Sequence, residues 1–183
     1  MDASQTFSVF AGDRCVIAAP LKPMLLAVKA RFDKDPGEPL LIFEDQTGRQ
    51  IDFDFRGTPE DVVARAMPEE PAKTGPGRPK LGVVSREISL LPRHWDWLEH
   101  QPNGISAALR RLVDEARKRD PEEDEARLAR EAASRFMTAM AGNLADFEEA
   151  SRALFGKDNQ RFAELIQAWP EDIRAHLLRL LKA

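Results

Sequence analysis

Cysteine occurs once in the 183 residues, at Cys15, so an intrachain disulfide is impossible and no thiolate set exists for a structural zinc. Long apolar runs are missing as well. None approaches the roughly 18 residues that a membrane-spanning helix needs. The first five residues carry no basic n-region, and the apolar stretch behind them is broken by Gly12, Asp13 and Arg14, which argues against a signal peptide. Nor does the chain show a nucleophile-base pair, a phosphate-cradling glycine loop or a ligand cluster of recognisable spacing. We therefore expect no catalytic residue, no metal and no cofactor, and do not expect an enzyme. What is present is 43% hydrophobic and 32% charged residues, a balance that can bury a core and keep the chain in solution. A cytoplasmic protein with no membrane partner is expected.

The first 68 residues read as a small α/β domain. Residues 6–11 (TFSVFA) and 15–19 (CVIAA) are β-prone runs joined by Gly12-Asp13-Arg14, as in a hairpin with a short glycine-containing loop. Pro23 then opens a helical pattern with Leu25, Leu26, Val28, Lys29 and Phe32 on one face, stopped by Asp35-Pro36-Gly37. Residues 40–43 look like a buried strand. After a turn at Gln46-Thr47-Gly48, Ile51, Phe53 and Phe55 alternate with Asp52 and Asp54, the mark of a strand with one wet face. Thr58-Pro59-Glu60-Asp61 supplies an N-cap, a first-turn proline and two acids for a last helix. This order of strand, strand, helix, strand, strand, helix resembles a β-grasp, the ubiquitin-like arrangement. Other small α/β sheets share it. Asp45, Asp52 and Asp54 invite a cation, but an outward strand face accounts for Asp52 and Asp54. Cys15, between apolar neighbours, reads as a small hydrophobe.

Residues 69–82 form a linker rich in proline and glycine, with no apolar period. Charge of one sign concentrates from here on: residues 73–119 hold ten Lys/Arg against five Asp/Glu in a chain whose net charge is -4. Within the linker, Gly77-Arg78-Pro79-Lys80 resembles the Gly-Arg-Pro centre of an AT-hook, in which an extended arginine enters the narrow minor groove of A·T-rich DNA. The flanking basic residues of a full hook are sparse, so a plain tether is the competing reading.

Residues 83–119 read as strand, helix, helix. Val83 to Leu91 is β-prone, and Pro92 starts a helix with Trp95, Leu98 and Trp97 apolar. Pro102-Asn103-Gly104 ends it, and Ser106 is placed as the cap of a second helix with Leu109, Leu112, Val113 and Ala116 as its stripe. A lone strand needs a partner, from the N-terminal sheet or from another copy. His94 and His100 do not complete a zinc set.

These residues resemble the ribbon-helix-helix family of bacterial DNA-binding proteins, through the basic approach, a short strand ending in Leu91-Pro92, a helix of about a dozen residues, and Gly104-x-Ser106 followed by Leu109 and Leu112-Val113. The resemblance covers roughly 35 residues. It implies an antiparallel two-chain ribbon in the major groove and a phosphate at the start of the second helix. By position, Ser85, Glu87 and Ser89 would share one ribbon face, with Asn103, Gly104 and Ser106 at the phosphate and Arg110 and Arg111 nearby. The strand phase stays open. If Ile88 and Leu90 point inward, Arg86 joins them and Glu87 meets DNA, where an acid can only accept from cytosine. If Leu91 points inward, the reading face is Val84, Arg86, Ile88 and Leu90. The expected nucleic-acid contacts are therefore Arg78, Lys80, Ser85, Arg86, Ser89, Asn103, Gly104, Ser106, Arg110 and Arg111. Across most of its length the chain also resembles an uncharacterised bacterial family, a domain of unknown function, through its GRPKLGVVSREI and LLPRHWDWL segments; that likeness implies no activity.

Residues 120–183 read as an acidic helical bundle with thirteen acidic and nine basic residues. One helix runs from Pro121 to Gly142, two shorter ones cover 146–155 and 159–168, and a last one begins at Pro170 with Ile173, Leu177, Leu178 and Leu181 inward. Phe147, Phe155, Phe162 and Trp169 are assigned to its core. The whole is expected to be an α+β protein: a small N-terminal α/β domain (β-grasp-like), a linker, a strand-helix-helix segment and a C-terminal helical bundle. The leading functional expectation is a DNA-binding regulator acting as a homodimer on duplex DNA. The alternative is a protein-protein interaction module that binds no nucleic acid and meets a protein partner.

Overall fold

The computed structural model describes residues 5–68 and 84–182. The chain divides into two compact units, residues 1–69 together with 125–183, and residues 70–124.

In the first unit β1 (Thr6–Ala11) and β2 (Arg14–Pro20) form the expected hairpin, turned through Gly12 at φ +56°. Helix α1 (Leu21–Lys34) follows, then β3 (Leu40–Glu44), β4 (Arg49–Gln50) and α2 (Pro59–Ala66). The strand order is β2-β1-β3-β4 and every neighbouring pair is antiparallel. Because β2 and β3 flank β1, the β2-α1-β3 connection is a split crossover with β1 in its gap. The element order is that of a β-grasp. The pairing is not, since a β-grasp places a parallel partner beside its first strand and here both neighbours of β1 run antiparallel to it.

Both faces of β1 are covered, so even its polar Ser8 is fully buried. Phe7 and Val9 pack with Ile42, Leu21, Met24, Leu25, Val28 and Val62 on the α1 and α2 side. On the other side Phe10 and Phe43 pack with Ala133, Phe136, Met137, Leu154, Phe162, Ile166, Trp169, Ile173 and Leu177. Apart from Trp169, which lies between the last two, the helical partners come from α5 (Pro121–Ala141), α6 (Phe147–Phe155), α7 (Asn159–Leu165), a 3-10 turn (Ile166–Ala168) and α8 (Glu171–Leu180). This corrects the division that set residues 120–183 apart as a bundle of their own: from Glu125 onward they share one unit and one core with the N-terminal sheet.

The contact between sheet and helices is close at one point. Gly48, at φ +65°, lies where a Cβ would come 1.9 Å from the Ala132 carbonyl oxygen, so only glycine lets the β3-β4 turn rest on α5. Beside it the Arg135 guanidinium donates to the Thr47 carbonyl at 2.8 Å. The edge strand β2 is covered at one amide, where Cys15 N–H donates to the Asp172 carboxylate in the first turn of α8 at 2.8 Å.

Several local expectations shift. The alternating segment 51–56 keeps Ile51, Phe53 and Phe55 half-buried and Asp52, Asp54 and Arg56 exposed, but the β4 ladder ends at Gln50. Helix α1 begins at Leu21 rather than at Pro23, and Leu26 is exposed. On α8 the inward residues are Ile173, His176, Leu177 and Leu180, whereas Leu178 faces solvent. Phe162 and Trp169 are core, Phe147 is half-buried, and Phe155 is exposed at the end of its helix.

Candidate nucleic-acid interface

In the second unit two helices are built as their sequence signals demand. α3 (Pro92–Glu99) opens on Pro92, whose fixed φ and missing N–H suit a first turn, and α4 (Ile105–Arg119) follows a turn through Asn103 (φ 66°) and Gly104 (φ 80°). The cap of α4 is Gly104, not Ser106, and no side chain caps its first amides. Ser106 lies inside the first turn.

Residues 84–91, expected as a strand, enter no ladder: among the described residues they have no strand partner. The reason is physical rather than compositional. A strand is defined by its neighbour, and the N-terminal sheet pairs only its own four strands. Ser85, Arg86, Glu87, Ile88 and Ser89 are exposed, while Leu90 turns its side chain into an open apolar depression of about 260 Å³ shared with His94, Trp97, Leu98, Leu109 and Leu112.

That depression shows how little the hairpin buries by itself. Leu98 and Ala108 are its buried apolar residues. The predicted stripe of α4 is present but half uncovered, with Leu112 38% and Val113 55% exposed, and Trp97 on α3 is 49% exposed. A pair of helices with a wet apolar face is incomplete as a folded unit.

Of the expected contacts, Ser85, Arg86 and Ser89 lie on the approach to α3, and Asn103, Gly104, Ser106 and Arg110 gather at the start of α4, all exposed. Arg111 donates to the Gln101 side chain at 3.3 Å and lies 3.8 Å from Glu115. Arg110, Arg111 and Lys118 share an open face with Asp114 and Glu115, so acids dilute the positive field there. Arg78 and Lys80, with the hook-like Gly77-Arg78-Pro79-Lys80, lie outside the described residues.

A second polar cluster escaped the sequence reading. Ser8 on β1, Asp45 after β3 and His176 on α8 are all buried. Arg179 joins them: its Nη2 donates to Ser8 Oγ at 2.6 Å and to His176 Nδ1 at 2.8 Å, and lies 3.1 Å from Asp45 Oδ2. Asp45 also accepts from Thr6 Oγ1 at 2.7 Å. The imidazole packs against Phe136 at 4.2 Å between ring centroids and edge-on to Phe10 at 5.4 Å. Burial, with the nearby Arg179 charge, outweighs the attraction of Asp45 and lowers the His176 pKa from 6.5 to about 4. The ring is therefore neutral, with Nδ1 accepting and its proton on Nε2. His176 Nε2 and Asp45 Oδ1 stand 3.9 Å apart, and neither finds a hydrogen-bond partner. Ser8 and His176 share no hydrogen bond and Ser8 is fully buried, so the group ties the sheet to α8 rather than presenting a nucleophile. The sequence offered two hints, a serine inside the run TFSVFA and Asp45, there read among acids that invite a cation.

Among the described residues no group of His, Cys, Asp and Glu is placed to hold a metal, and no helix is long and apolar enough to cross a membrane. Cys15 is half-buried, and burial together with Asp172 pushes its thiol pKa up.

Fold and site together define an α+β protein: an antiparallel sheet covered by helices on both faces, and a separate helical hairpin with an uncovered apolar face and exposed arginines. The chain belongs to the bacterial family DUF2239, described as an uncharacterized protein conserved in bacteria, whose profile spans residues 6–181. No curated protein and no solved structure matches it.

Proposed function

We propose that residues 84–119 form a homodimeric unit that binds duplex DNA, with Arg78 and Lys80 as an auxiliary arm. One observation carries this reading: the apolar face left open on the α3-α4 hairpin lies in the same stretch as the chain's surplus of positive charge. On the hairpin Trp97, Leu112 and Val113 are between 38% and 55% exposed, and in the segment leading into it Val84, Ile88 and Leu91 are between 48% and 71% exposed. Together they leave about three large side chains' worth of surface in water, on the order of 500 Å². A standard interface takes roughly 800 Å² from each partner, so a second copy would use most of what is exposed. The start of α4 has no side-chain cap, so the Ile105 and Ser106 amides and the positive helix end are offered to a phosphate, while the Gly104 amide donates to the Gln101 carbonyl.

The test is a titration of labelled duplex DNA at two salt concentrations, with light scattering to give the mass of the protein. Arg110 and Arg111 from two copies would neutralise about four phosphates and contribute a log-log salt slope of roughly -3.6. Saturable, salt-sensitive binding by a dimer, lost when Arg78, Lys80, Arg110 and Arg111 become Ala, is the expected result. A monomer that ignores DNA would overturn the proposal. The mixture of Asp114 and Glu115 with the arginines on α4 favours the alternative in that case, a docking surface for a protein partner.

A further inference from the structure

We infer that Asn103 is a site of spontaneous covalent modification, in which the backbone nitrogen of Gly104 attacks the Asn103 side chain and the resulting ring opens to aspartate or isoaspartate. The chemistry stands apart from the DNA reading above; only its effect on binding rests on that reading.

Asparagine occurs three times, as Asn103, Asn143 and Asn159, and all three residues are exposed. What separates them is the backbone nitrogen that follows, which is the nucleophile. After Asn103 it belongs to a glycine, with no Cβ to crowd the approach, and the place a Cβ would take at Gly104 has nothing beyond its chain neighbours within 4 Å. The Gly104 N–H donates to the Gln101 carbonyl at 3.4 Å, longer than an ordinary bond of this kind. After Asn143 the nitrogen belongs to the half-buried Leu144, whose N–H is held by the Ala141 carbonyl at 2.9 Å. Asn159 opens α7 and Gln160 continues it, so the helix fixes the peptide that would have to turn. Asn103 and Gly104 lie instead in a turn, at φ 66° and 80°. The peptide plane between them must swing to bring the nitrogen to Cγ. The hairpin resists this weakly, because Leu98 and Ala108 are its buried apolar residues and few buried contacts make local opening easy.

As the ring closes, the bond from Gly104 N to Asn103 Cγ forms and the Cγ–Nδ2 bond breaks. Nδ2 leaves as ammonia, with the proton that the backbone nitrogen gives up. Water then opens the cyclic imide. Attack at Cγ restores the main chain as aspartate, and attack at the main-chain carbonyl leaves isoaspartate, whose backbone runs through Cγ and is longer by a methylene. Nothing is oxidised or reduced. Either product turns a neutral amide into a carboxylate beside the first amides of α4, which no side chain caps. A carboxylate there suits the positive helix end and competes with a phosphate for it.

Residues 94–110, 136–152 and 158–161 are tryptic peptides with one asparagine each. Ageing the purified chain in mildly alkaline buffer and following these peptides by mass spectrometry reads the three rates side by side. Asn103 should convert roughly tenfold faster than Asn143 or Asn159, and should yield both aspartate and isoaspartate. Conversion of all three at one rate, or aspartate without isoaspartate, overturns the inference. In the DNA titration, Asn103→Asp should bind roughly tenfold more weakly than the native chain. Unchanged affinity overturns the effect on binding and leaves the modification standing. A native chain that binds no DNA removes that effect together with the DNA reading.

Discussion

Lowering the pH should weaken the sheet-helix unit through His176, in a window that surface carboxylates do not share. The imidazole is neutral and buried in the folded chain, with its pKa lowered from 6.5 to about 4. A depressed base takes its proton first in the unfolded state, so stability is intact above pH 6.5, falls as pH drops from 6.5 toward 4, and levels off below that. At 1.36 kcal/mol per unit the full effect is about 3 kcal/mol, and the part expected between pH 7 and pH 5 is about 2 kcal/mol. Glu38, Asp54 and Asp61 have lowered pKa values through their bonds to Arg31, to Arg56 and to Thr58 respectively. Their contributions are present above the ordinary carboxylate range and are lost only below it, outside this interval. The assay is urea denaturation followed by far-ultraviolet circular dichroism at both pH values, on the native chain and on His176→Gln, which keeps an acceptor for Arg179 without a titratable ring. The native chain should lose about 2 kcal/mol more than the variant on acidification. Equal losses would refute the reasoning, because they would mean that His176 binds protons alike in both states.

Two further outcomes test the packing. Gly48→Ala would force a side chain into the left-handed region and into the Ala132 carbonyl; a cost of about 3 kcal/mol or more in chemical denaturation is expected, and a cost below about 1 kcal/mol would show that the β3-β4 turn does not rest on α5. Thr58→Ala removes the reciprocal cap between Thr58 and Asp61 at the start of α2 and should lower stability by about 1 kcal/mol, whereas an unchanged denaturation midpoint would argue against the capping box.

Local chemistry alone specified much of this chain. Thr58-Pro59-Glu60-Asp61 forms the cap that its residues announce, Pro92 begins α3, Gly142 follows the end of α5, and Gly12 turns the first hairpin. Each is a matter of backbone dihedrals and hydrogen bonds a few residues apart, which is why the sequence carries them. Tertiary structure decided what depends on distant partners. Nothing local tells that Phe10 and Phe43 meet Phe136, or that Arg179 reaches back 171 positions to Ser8, so the sheet and the C-terminal helices read as separate domains until their shared core was seen. Ile51, Phe53 and Phe55 alternate as a strand should, yet strand pairing is a property of two segments and stops at Gln50. The same rule governs residues 84–91: their composition favours a strand, but a ladder needs a second strand, and none of the described residues supplies one.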